Sequence, residues 1–138
     1  MADKTEPVRR MIEAWDKRDI DLMMDQFADG AIFDNVPMDR IQGKEAIRAA
    51  NAAFMDMIEA APWKVRNIFE APNGTVLTER DDIFVLKDGR TVNCPVMGAF
   101  EINEDNKITH WRDYFDLGDW NRQLGMDPDL GRRSNPAP

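Results

Sequence analysis

The chain's 138 residues, 43% of them hydrophobic, fit one domain with a sizeable core and exclude a disordered chain. Its 18 basic and 26 acidic side chains give a formal net charge of −8, which argues against nucleic acid or an anionic membrane as the main partner. One cysteine and one histidine permit no internal disulfide and leave only carboxylates as metal ligands, so a reducing, cytoplasmic setting with neither metal nor cofactor is expected. The sequence has no N-terminal apolar run and no stretch long enough to span a membrane.

Taken in order, residues 1–6 read as frayed, and Pro7 suits a first helical position. Val8, Met11, Ile12 and Trp15 then recur at helical spacing. Asp19 is the expected N-cap of a second, short helix with Leu22, Met23, Gln26 and Phe27 on its face, stopped by Asp29-Gly30. A short strand over 31–36 runs into Pro37. Gly43 precedes the longest predicted helix, 44–60, which buries Ile47, Ala50, Phe54, Met57 and Ile58 and is closed by Pro62. Strands follow over 63–70, 75–86, 91–102 and 107–117, with a bulge or bend expected at Pro95 and Gly98. Turns at Pro72-Asn73-Gly74, Asp88-Gly89 and 103–106 separate them. A last short helix holds Trp120 and Leu124, and the tail 126–138 is expected to be loose. Helices grouped ahead of an antiparallel meander give an α+β fold, with a curved sheet wrapped on helices and a conical pocket between them. No second domain is expected in 1–138, and the core spans about 8–124.

The chemistry starts from the last strand. Trp111, Asp113, Phe115 and Leu117 share one face by period-two alternation, which sets a carboxylate among aromatics. Such burial is costly unless the charge is paired. In the strand 75–86, Arg80 and Asp82 lie on one side with Val76, Thr78, Phe84 and Leu86, while Leu77, Glu79, Asp81, Ile83 and Val85 share the other. Both sides are partly apolar, so alternation leaves open which one points inward. If it is the first, one guanidinium can bridge Asp82 and Asp113 through its five donors. Desolvation and mutual repulsion then favour protonating one carboxyl, which makes an acid and a base without metal or histidine. Opening a three-membered cyclic ether needs that pair: its oxygen takes a proton while an attacking water loses one.

Three segments carry a family resemblance. Thr78-Glu79-Arg80-Asp81-Asp82, then Ile108-Thr109-His110-Trp111-Arg112-Asp113-Tyr114-Phe115-Asp116, and Phe33-Asp34-Asn35-Val36-Pro37-Met38 with Gly43 after it, resemble the limonene-1,2-epoxide hydrolases. The resemblance implies the NTF2-like (cystatin-like) cone and a homodimer through the back of the sheet. It also implies one-step hydrolysis of a small lipophilic epoxide by water, without a cofactor. Asp113 is then the general base, Asp82 the general acid, Arg80 the bridge and Asn35 a holder of the water. Phe33, Phe84, Trp111 and Phe115 are assigned to the substrate-binding wall. Where this chain has Phe33 the family normally has a tyrosine whose hydroxyl helps hold that water. Two rivals share the fold: a proton-transfer enzyme resembling SnoaL-like cyclases or ketosteroid isomerases, and a non-catalytic small-molecule binder. The nine methionines read first as core filler, His110 as a surface or interface residue and Cys94 as an inert small hydrophobe.

Overall fold

In the computed structural model, which describes residues 2–134, two helices open the chain: α1 (Thr5–Lys17) and α2 (Ile20–Met24). Helix α1 starts two residues before Pro7, because the Asp3 carboxylate accepts hydrogen bonds from the backbone N–H and hydroxyl of Thr5. The residues expected to fray are therefore partly capped. Asp19 caps α2 as expected, accepting from the Leu22 N–H at 3.0 Å.

Strand β1 (Phe27–Asn35) begins earlier than the sequence pattern implies. Its register against β7 (Ile108–Tyr114) shifts between Phe27 and Ile32, so Asp29-Gly30 lies at an irregularity inside a strand instead of ending a helix. A two-residue strand, β2 (Ile41–Gln42), pairs β1. Helix α3 (Lys44–Met55) also stops short of the expected 44–60. Ile58 and Ala60 leave it to form β3 (Ile58–Ala60), which pairs the end of β5 (Val76–Leu86). Tertiary pairing overrides helix periodicity there. Met57, expected on the buried stripe, is 54% exposed, and Asn51 and Met55 are buried instead.

Strand β4 (Lys64–Glu70), then β5, β6 (Thr91–Ile102) and β7, make the antiparallel meander. The sheet order is β2-β1-β7-β6-β5-β3, with β4 also on β5, and β1 runs parallel to β7. No bulge interrupts β6 at Pro95 or Gly98: its register with β5 is unbroken, and the shift against β7 falls between Glu101 and Ile102. Pro95 is tolerated because pairing with β7 begins only at Met97, which leaves one strand edge free beside the proline. Strand β7 ends at Tyr114, and Leu117 opens α4 (Leu117–Gln123), capped by Asp116. Among the described residues no helix is long and apolar enough to cross a membrane.

The inward side of the sheet carries Val76, Thr78, Arg80, Asp82, Phe84 and Leu86 from β5, which settles the choice that alternation left open. Residues 131–133, expected as loose tail, are tied to the segment after β1. Arg133 bonds the Met38 carbonyl and the buried Asp34 carboxylate, and its N–H bonds the Pro37 carbonyl. Residues 135–138 of that tail lie outside the described residues.

Candidate active site

Three adjacent strands build the floor of the site. Thr78 on β5 pairs Gly98 on β6, and Gly98 pairs Asp113 on β7. The absent side chain at Gly98 makes a hollow, and the Arg80 guanidinium lies over it. A Cβ at Gly98 would fall 2.4 Å from Arg80 Nη1, 2.6 Å from Asp113 Oδ1 and 2.8 Å from Thr78 Oγ1. No other residue type leaves that space.

All five guanidinium donors are used. Nε and Nη2 donate to Asp82 at 2.9 and 2.8 Å, Nη2 and Nη1 donate to Asp113 at 2.8 and 3.2 Å, and Nη1 also donates to Thr78 Oγ1 at 2.9 Å. The Trp111 indole adds a donor to Asp113 at 2.7 Å. Arg80, Asp82 and Asp113 are only 1%, 5% and 4% exposed, so these bonds replace the water that burial removes. The Arg80 face also lies 5.1 Å from the Trp63 ring centre and 5.9 Å from that of Phe100.

Burial works against charge on Arg80 and on Asp82, with different outcomes. It disfavours the Arg80 cation, but Asp113 and Asp82 outweigh it and hold the guanidinium protonated above its usual range. Burial pushes the Asp82 carboxyl up to about 6; Arg80 opposes the rise, and the negative charges of Asp113 and Asp81 add to it. By linkage, a raised carboxyl contributes stability below its unfolded value of ~3.9 and loses it as pH rises through about 6. Asp82 therefore strains the fold in its charged form. The thiol of Cys94, cross-strand from Asp82, is held up to about 12 by burial and then by the two carboxylates, so it is a poor nucleophile, as expected.

The carboxylates form one wall of a cavity of about 300 Å³. Asn35, Phe33, Phe84, Trp111 and Phe115 line it with Asp82 and Asp113, so seven of the eight expected site residues reach it, and Arg80 sits beneath the two acids. Register places Asn35 beside Asp113 across the parallel β1–β7 pair. Phe33 stacks on Trp111 with ring centres 4.2 Å apart, which helps hold the indole N–H on Asp113. Tyr114 points away, half exposed. His110 lies on the outer face near Asp34 and Glu101. No cluster of three or more His, Cys, Asp or Glu side chains that could hold a metal ion occurs among the described residues.

Pattern reasoning overlooked Thr78, Gly98, Trp63 and Asn51. Asn51, on α3, lines the same cavity as the acids, with Phe54. Its spacing from Ile47 and Met55, four residues either way, could have placed it on the buried stripe.

The chain is similar in sequence and in fold to known proteins. A model of the limonene-1,2-epoxide hydrolase catalytic domain matches residues 2–125. Epoxide hydrolase EphG of Mycobacterium tuberculosis is 32% identical over 113 residues, covering 81% of this chain and 72% of that protein. The solved structure of an M. tuberculosis LEH-like epoxide hydrolase superposes with a TM-score of 0.76 at 28% identity, over 88% of each chain. A protein of ketosteroid isomerase-like fold from Catenulispora acidiphila reaches 0.76 at 20% identity, over 91% of this chain and 96% of that one, a likeness of fold alone. The architecture is the NTF2-like α+β cone, and the chain belongs to the limonene-1,2-epoxide hydrolase family.

Proposed function

We propose that this protein hydrolyses a lipophilic epoxide to a vicinal diol in one step, without a cofactor. The observation that carries the reading is one guanidinium shared by two buried carboxylates on the wall of an otherwise aromatic cavity. Asp113 receives three donors and Asp82 two, so the proton the pair shares goes to Asp82, whose carboxyl burial has raised. A water beside Asn35 gives its proton to the Asp113 carboxylate as its oxygen attacks an epoxide carbon. The C–O bond breaks, and the ring oxygen takes the proton from Asp82. Arg80 stays protonated throughout and keeps the acids in register. Return of the proton from Asp113 to Asp82 closes the cycle, with one water consumed.

A panel of terpene, styrene-oxide-like and cycloalkene epoxides assayed for diol tests the reading. Diol from at least one class is expected; its absence from all of them would favour a proton-transfer enzyme or a binder. The raised Asp82 carboxyl gives a pH dependence: kcat/KM falls as pH rises through about 6, because the acid loses its proton. A flat profile from pH 5 to 8 would remove Asp82 as acid.

Phe33 bears on rate. Restoring the hydroxyl with Phe33→Tyr adds a third tether to the water, worth about 0.5–1.5 kcal/mol, and should raise kcat by up to roughly tenfold. An unchanged or lower kcat would mean that the water is held in another way. The protein acts in the cytoplasm as a homodimer, joined through the outer sheet face where Phe69, Met97 and Tyr114 stand at least half exposed.

A further inference from the structure

Four cavity-lining side chains carry amide or carboxyl groups: Asn35, Asp82 and Asp113 on the sheet, and Asn51 on α3. The first three serve the chemistry proposed above; Asn51 does not. It is 5% exposed, on the helix stripe between Ile47 and Met55 where an apolar residue would pack without penalty.

Its amide nitrogen donates to the Ile47 carbonyl one turn back at 2.8 Å. A backbone carbonyl can only accept, so this bond fixes the orientation of the amide: nitrogen toward the helix, Oδ1 away from it. No described residue donates to Oδ1, nor is that atom among the buried side-chain atoms sealed off without a partner. Asn51 lines the cavity, and the acceptor it can offer there is Oδ1. The neighbours that share the helical wall, Trp15, Ala50, Phe54 and Trp120, offer no charge. An apolar ligand pressed against this wall strips Oδ1 of water and returns nothing, whereas a hydroxyl restores the bond. An ammonium would be buried there with no counter-charge on the same wall.

We infer that Asn51 orients the substrate by accepting a hydrogen bond from a hydroxyl that the substrate carries away from its epoxide ring, so that the substrate class is an epoxy alcohol. The inference rests on the epoxide hydrolase reading and deepens it. Asn51 is a specificity residue, distinct from the acids that act on the ring.

A matched pair tests this: a cyclohexene oxide bearing an isopropyl group, and its tertiary-alcohol counterpart. The wild-type protein should favour the alcohol in kcat/KM by roughly tenfold, the worth of one neutral hydrogen bond. In Asn51→Leu that ratio should fall to about one, with Asn51→Ala as a second variant of smaller volume. Affinity for the corresponding pair of saturated rings without the epoxide, read from tryptophan fluorescence, should show the same ratio and the same loss. Diol from neither epoxide, with the affinity ratio intact, would overturn the hydrolase reading and leave the role of Asn51 standing. Equal rates and equal affinities in the wild type, or an unchanged ratio in Asn51→Leu, would overturn the inference.

Discussion

Asp113→Asn is expected to lower diol formation by about 10²–10⁴-fold, the usual contribution of a positioned proton acceptor. The substitution removes two functions at once. Asparagine cannot take the proton of the attacking water. It also removes the negative charge that helps keep Asp82 protonated, leaving Asp82 to ionise against Arg80. That second change protects the fold, since the buried guanidinium keeps a full counter-charge through its two bonds to Asp82. Near-ultraviolet circular dichroism should therefore stay close to wild type while turnover collapses. Diol formation retained at the wild-type rate would remove Asp113 as the base. Asp82→Asn should produce a loss of similar size, for want of the acid alone.

The second large effect is expected at a residue with no chemistry of its own. Gly98→Ala would set a methyl group 2.4 Å from Arg80 Nη1 and 2.6 Å from Asp113 Oδ1. The end of an arginine often swings aside at little cost; this one is held by five hydrogen bonds and is sealed from solvent. Moving it breaks the bridge and leaves a carboxylate buried without its partner. Breaking a buried pair costs about 3–5 kcal/mol. For a domain of this size that is a fall in Tm of roughly 6–20 °C, accompanied by loss of turnover. Calorimetry and a rate assay on the same sample check both. Wild-type melting and activity in Gly98→Ala would mean that the guanidinium has an alternative seat and that the three-strand register does not define the site.

Sequence alone carried much of the fold and the list of candidate residues, for physical reasons that also mark its limits. The strands from Lys64 onward were legible because period-two alternation is punctuated by Pro72-Asn73-Gly74 and Asp88-Gly89. Arg80, Asp82 and Asp113 drew notice as charges on apolar stripes, where burial demands partners. Which side of β5 faced inward was not legible, because Leu77, Ile83 and Val85 make the other side nearly as apolar. The parts of the fold that long-range pairing decides were misread: Ile58 continues the helical spacing of α3 yet pairs Leu86, and Asp29-Gly30 resembles a helix stop yet sits within β1. Gly98 was read as a bend because its purpose depends on side chains from β5 and β7, neither near it in sequence. Arg133 lay hidden in a polar, proline-containing tail; its partner Asp34 is 99 residues away.

The most direct test of the one-step mechanism is a single turnover in ¹⁸O-labelled water with the protein in excess over an epoxide it accepts. Direct attack by water puts the label into the diol in that first turnover and leaves the side chains of Asp82 and Asp113 unlabelled. Unlabelled diol in the first turnover, with label appearing in either carboxylate, would mean that an aspartate attacks the ring itself and would contradict the assignment of Asp113 as a base.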